Sequence, residues 1–269
     1  MSLPILPSGQ KFSCCQCGSC CSKIRGMMPA EDAAFMKEMA YGKMPLVQLI
    51  PLEKISFPLY DWEAKRFMGW QHDANVDAKI RPSRAIFDLN TNKAIIATYS
   101  MDSDACPFLK NSKCSIYDKK RAYICRLFPF NRTPFLDVGE RLRKENLFGT
   151  CGGMKSVLPH IPESKSKMIA HLQAAFPDGS FENAVQHDIV IEWLNSTVVD
   201  LMRKKIVRPA MNYPYEFLLK RINNAEKIDF TDFLVGSGYM PLEEKDRLIE
   251  GFDSNSGAKR KITEFIESC

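Results

Sequence analysis

The chain has 269 residues, 45% of them hydrophobic and 26% charged, with a net charge of +5. That length can bury a core of its own, so neither metals nor disulfides are needed merely to fold it. The composition is that of an ordinary globular protein, and no run of about eighteen apolar residues suggests a membrane span.

The positive charge sits in short clusters at Lys119-Lys120-Arg121, Arg141 to Lys144, Arg203-Lys204-Lys205 and Lys259 to Lys261. Each is interrupted nearby by acids or apolar residues, the pattern of a solvated surface. Nucleic acid and membrane are therefore not expected as partners, which leaves an unknown protein or small molecule. The first residues, MSLPILPSGQKFSC, lack the basic start and apolar core of a secretory signal. A cytoplasmic location is expected. Thiols stay reduced there, so the ten cysteines favour metal binding over disulfides.

In chain order, Pro29-Ala30-Glu31-Asp32 predicts a helix running to Tyr41 and stopping at Gly42. Residues 45 to 80, rich in aromatics and proline, are expected to form packed irregular structure with a helical turn or two. Ala85 to Leu89 and Ala94 to Tyr99 read as strands joined through Asn90-Thr91-Asn92-Lys93, a β-hairpin. From Phe181 to Ile206, the residues Ala184, Ile191, Leu194, Val198, Leu201 and Met202 share one helical face, with Gly179-Ser180 as the start. Shorter helices are predicted at Tyr215 to Ile222, Leu242 to Phe252 and Arg260 to Glu267. All cysteines but Cys269 precede residue 152. The expected organisation is therefore a cysteine-cluster metal-binding domain at 1–155 and a helical C-terminal region at 156–269. The fold class is α+β, with a hairpin and irregular loops in the first part.

The cysteines carry the chemistry. Cys14, Cys17 and Cys20 form C-x2-C-x2-C, a spacing that lets a tight loop turn thiolates toward one ion. Gly18 lies where the backbone passes close to the metal and needs a positive φ. The same spacing opens the bacterial ferredoxin run, but Cys21 follows Cys20 directly and position 24 is Ile24. Successive side chains diverge, so the Cys20-Cys21 pair points to two centres or to a multinuclear cluster. Cys106 and Cys114 flank a turn at Asn111-Ser112-Lys113, and Cys125 and Cys151 complete eight thiols. Eight make two sets of four, for zinc or for an iron–sulfur cluster such as 4Fe–4S. Cys15 and Cys269 are expected to be spectators.

With Phe12 ahead of Cys14, Cys17-Gly18, Cys20-Cys21, Cys106 to Leu109, Cys114 to Tyr117, Arg121 to Pro129 and Cys151, the chain resembles the YkgJ family. That family, also known as CxxCxxCC, contains zinc- or iron-chelating cysteine-cluster proteins. The resemblance covers about residues 12 to 153 and implies metal chelation by these eight cysteines. Ala122 stands where the family usually has proline, and glycine follows Cys151 where proline is common. One branch resembles flagellin lysine N-methylase, which is what raises an enzyme reading.

Independent catalytic signals are lacking. There is no P-loop, no H-E-x-x-H, and no glycine-rich turn after a strand apart from Gly149 to Gly153. His72, His160, His171 and His187 are scattered and read as structural or surface residues. Arg121 and Arg126 flank Cys125. They are candidates for cofactor binding, neutralising a thiolate-ligated centre, or else for surface pairing with an acid such as Asp118. Three readings remain open: a metal-binding protein, an iron–sulfur-dependent enzyme such as a protein-lysine N-methyltransferase, and a redox or metal sensor acting through a partner.

Overall fold

The computed structural model describes residues 11–26, 33–34, 37–38, 43–117, 121–131, 133, 135, 148–149, 151–162 and 164–268. The helix expected from Pro29 to Tyr41 falls largely outside them, as do Cys269 and Asp118. The elements in order are α1 (Ser19–Ser22), β1 (Val47–Gln48), β2 (Pro58–Tyr60), α2 (Asp61–Ala74), β3 (Ile80–Phe87), β4 (Ala94–Met101), β5 (Leu109–Lys110) and β6 (Lys113–Cys114). There follow α3 (Tyr123–Leu127), α4 (Lys165–Ala175), α5 (Ser180–Arg203), α6 (Tyr215–Asn224), β7 (Lys227–Asp229), α7 (Phe230–Gly236), α8 (Leu242–Asp253) and α9 (Ser256–Glu267). The fold class is α+β, as the sequence indicates.

The described residues fall into two compact units, each discontinuous along the chain. The first takes its residues from Met1–Cys20, Arg121–Glu192 and Ile249–Cys269; the second from Cys21–Lys120 and Trp193–Leu248. The expected boundary near residue 155 falls inside the first unit. One of the actual boundaries separates Cys20 from Cys21.

The second unit is built on a sheet ordered β1-β3-β4-β2, antiparallel throughout, with β7 added parallel to β4. The predicted hairpin is present as β3 and β4. Its turn is held by buried Asp88, which accepts from the amides of Asn90, Thr91 and Arg208. Val47, Ala85, Phe87, Ala94 and Ile96 pack with Leu218 and Ile222 of α6. Residues 45 to 80 are more regular than expected, because α2 runs for 14 residues. Glu63 reaches back to accept from the Tyr60 amide at 3.2 Å, satisfying a donor that the helix start would leave open. Trp62 and Phe67 are then buried on the helix's inner side.

The first unit packs around Phe130, Phe176 and Phe181, whose rings lie within 5.6 Å of one another along the chain of contacts through Phe130. Ile169 and Leu172 of α4, Val185 of α5, and Ala258 and Ile262 of α9 join the same core. The long helix predicted from Phe181 is present as α5. Gly179 precedes it with φ +79°, a conformation open to glycine at little cost. Among the described residues no helix is long and apolar enough to cross a membrane.

Candidate metal centre

The segment 11–22 is shaped by its own backbone. Gln16 has φ +52° and Gly18 φ +74°, so the chain reverses on each side of Cys17. The glycine was anticipated. Gln16 was not, and a left-handed non-glycine residue costs about 1–2 kcal/mol. The single turn α1 then carries Cys20 and Cys21. Neighbours on an α-helix point about 100° apart, so the two thiols diverge, as expected for adjacent cysteines.

In the first unit, Phe12 anchors this segment. Its amide donates to the Ala175 carbonyl at 2.7 Å and its ring packs 5.1 Å from Phe176. Cys14 and Cys151 lie against the same core. Gly153 is what allows the approach. A Cβ there would stand 3.0 Å from the Ser13 carbonyl oxygen, 3.2 Å from the Phe12 ring and 3.7 Å from the Cys151 sulfur. The Cys151 thiol is pushed up by burial, and the neighbouring Cys14, Cys15 and Cys17 oppose its ionisation further. Four sulfurs are thus electrostatic neighbours. A bound cation would relieve the mutual repulsion of their thiolates. The Cys17 thiol is drawn down by the Ser19 hydroxyl, 3.3 Å away, with the Ser19 backbone and Cys15 adding to it.

Cys125 lies in α3, whose Tyr123 and Leu127 are buried. The Arg126 guanidinium sits 4.3 Å from the centre of the Tyr123 ring, and its Nη2 is 3.8 Å from Asp253 Oδ1. That partner is 127 residues away, and nothing local announces it. Arg121 is half-buried.

In the second unit, Cys21 and Cys106 are joined by backbone: the Cys106 amide donates to the Cys21 carbonyl at 2.8 Å. Three residues beyond Cys21 and two before Cys106, the Ile24 amide donates to the Asp104 carbonyl at 2.8 Å, and Arg25 pairs with Asp102 and Asp104. A hairpin carries Cys114. Leu109 pairs with Cys114 across β5 and β6, through a turn in which Asn111 and Ser112 both have positive φ. The Leu109 amide also donates to the Cys106 carbonyl at 3.0 Å. Phe108 fixes the hairpin, fully buried and edge-on to Phe67 at 4.9 Å.

The eight predicted thiols therefore divide by unit: Cys14, Cys17, Cys20, Cys125 and Cys151 in the first, and Cys21, Cys106 and Cys114 in the second. As a donor set they suit zinc or iron, both of which accept cysteine thiolates. Among the described residues no three cysteine, histidine or acidic side chains are arranged around a common point as closed ligands would be.

No curated protein and no solved structure matches the chain. The family model CxxCxxCC, described as a putative zinc- or iron-chelating domain, matches residues 13–151. That span takes in all eight thiols singled out above and more than half of the chain, which accordingly belongs to the CxxCxxCC family.

Proposed function

We propose that the protein binds metal through two thiolate groups, one in each compact unit, with Cys20 serving the first and Cys21 the second. The observation that carries this is the division of the units at the Cys20–Cys21 peptide, together with the Cys106–Cys21 backbone hydrogen bond. On this reading Cys14, Cys17, Cys20, Cys125 and Cys151 are the donors of one centre, and Cys21, Cys106 and Cys114 those of the other. Zinc would supply a fixed tetrahedral cross-link. Iron with inorganic sulfide would supply an electron-transfer or substrate-binding centre. The family description supports either metal. A reducing cytoplasmic compartment suits both, because it keeps the thiols available.

The test is metal identity and count per chain, on protein purified without oxygen and without a nickel-charged tag. Brown protein with absorbance near roughly 400 nm identifies iron–sulfur. Colourless protein with stoichiometric zinc identifies the structural role. A single mononuclear metal that survives both Cys20→Ser and Cys21→Ser refutes the two-group arrangement.

A further inference from the structure

Away from the cysteines, four residues stand side by side across the sheet of the second unit: Gln48 on β1, Arg84 on β3, Thr98 on β4 and Tyr60 on β2. Gln48, Thr98 and Tyr60 are buried, with 6%, 4% and 2% of their surface exposed. Arg84 is half-buried, so part of its surface reaches solvent.

The guanidinium there is only partly engaged. Its Nε donates to Gln48 Oε1 at 3.1 Å. Among the described residues it makes no ion pair, so Nη1 and Nη2 have no protein acceptor. Several carboxylates of the same unit are committed elsewhere. Asp61 accepts from the Thr231 amide and hydroxyl, Glu63 from the Tyr60 amide, and Asp102 from Arg25 and Arg81. Lys65 holds Asp229 and Asp232. Arg25 and Arg81 each meet a carboxylate, whereas Arg84 meets only an amide. Burial lowers the Arg84 pKa from its ordinary value, which marks a cation short of hydration. A charge in that condition is ordinarily compensated by an anion.

Gln48 is itself pinned. Its Nε2 donates to the Ile50 carbonyl at 3.0 Å, and its own carbonyl accepts from the Tyr215 hydroxyl. Its Oε1 is thereby fixed as the acceptor that sets the plane of the guanidinium. A planar cation held by one edge, with its end donors open, is built to receive two oxygens in parallel.

We propose that Arg84 anchors a small-molecule site in the second unit that binds a carboxylate end-on through Nη1 and Nη2, with Gln48 as the positioning residue. The site is independent of the thiols, and metal content is not its readout, so its failure leaves the metal reading untouched. The test uses thermal unfolding of the full chain in sodium acetate, sodium phosphate and sodium chloride at equal ionic strength. Acetate should raise the unfolding midpoint above chloride in a saturating manner, and Arg84→Met should lose that increment while unfolding in chloride no earlier than the native chain. Gln48→Glu supplies a carboxylate from the protein itself. It should raise the midpoint in chloride and abolish the acetate response, and it keeps the question decidable if Arg84→Met does not fold. An acetate increment equal to that of chloride, or one retained in Arg84→Met, overturns the site. A response to phosphate without one to acetate overturns the carboxylate assignment. If Arg84→Met unfolds early in chloride, Gln48→Glu decides: an acetate increment retained in that variant overturns the site.

Discussion

Cys20 and Cys21 are joined by one peptide bond, and their surroundings differ on each side of it. Cys21 presents its carbonyl to the Cys106 amide, while Cys20 closes a loop whose earlier members, Cys14 and Cys17, act electrostatically on Cys151. Cys20→Ser and Cys21→Ser are therefore expected each to lower metal content, and double substitution with a cysteine of the same unit should add little. Cys21→Ser with Cys106→Ser should lose no more metal than Cys21→Ser alone, as read by elemental analysis. Cys15→Ser and Cys269→Ser should retain full occupancy, the former being the sharper test because Cys15 neighbours Cys17 and Cys151. At this scale the sequence was informative wherever chemistry and spacing coincide. The C-x2-C-x2-C run, Gly18 and the turn before Cys114 were all legible. The Arg126–Asp253 contact and the open end of Arg84 were not, because each depends on what distant segments place nearby.

Elements hold these residues by a few specific contacts. Gly153 lets its strand of chain lie against Phe12 and Ser13. Gly153→Ala is expected to cost about 1–3 kcal/mol by forcing a Cβ against the Ser13 carbonyl. It should also loosen Cys14 from Cys151, visible as faster alkylation of Cys151 in metal-free protein. Arg25 performs the matching task in the second unit. Arg25→Met should cost about 2 kcal/mol, the scale of charge-assisted hydrogen bonds, and, on the proposed reading, lower the metal content of the full chain. Arg81→Met, which removes a more exposed contact to Asp102 alone, should do less on both counts.

Helix α5 carries two titrating neighbours of opposite sign, half-buried His187 and buried Asp188. Burial lowers the His187 pKa from 6.5 to about 4. The unfolded chain therefore takes up this proton first, and stability falls as pH drops from 6.5 toward 4. Burial raises the Asp188 pKa from 3.8 to about 6, despite the Thr133 hydroxyl and Lys261 favouring its charge. Its effect runs the other way: stability is gained as pH drops through about 6 toward 3.8. Each amounts to about 3 kcal/mol, so the native profile should be nearly flat across that window. Asp188→Asn should make it fall steeply toward acid, and His187→Gln should make it rise, measured by denaturant unfolding at a series of pH values. Of the apolar face of α5 expected from its period, Ala184, Leu194, Val198 and Leu201 are buried, but Ile191 is exposed; α2 was not legible. Its start at Tyr60 lacks the usual small polar cap, and Glu63 supplies the missing acceptor from inside the helix. Helices α4 and α7 and strand β7 also escaped notice, being short and partnered by distant residues.

For the molecule as a whole, the interleaving of the two units matters more than the fall in cysteine content near residue 152. A fragment ending at residue 155 would lack β7, the partner of β4, and Thr231, the partner of buried Asp61. It would also lack Ala175, which accepts from the Phe12 amide. Such a fragment is expected to show no cooperative thermal transition, whereas the full chain should show one. Composition exposed the cysteine cluster but not this threading, because a shared core depends on contacts between segments that are far apart in order.

The threading also bears on how the protein is made. Cys14, Cys17 and Cys20 leave the ribosome long before α9, whose Ala258 and Ile262 belong to the core that Cys14 packs against. At the usual pace of synthesis that interval is roughly 10–50 s, during which the leading thiols have no finished seat. On the proposed reading, metal loading of the first unit follows the synthesis of α9, and the leading thiols depend on the reducing power of their surroundings until then.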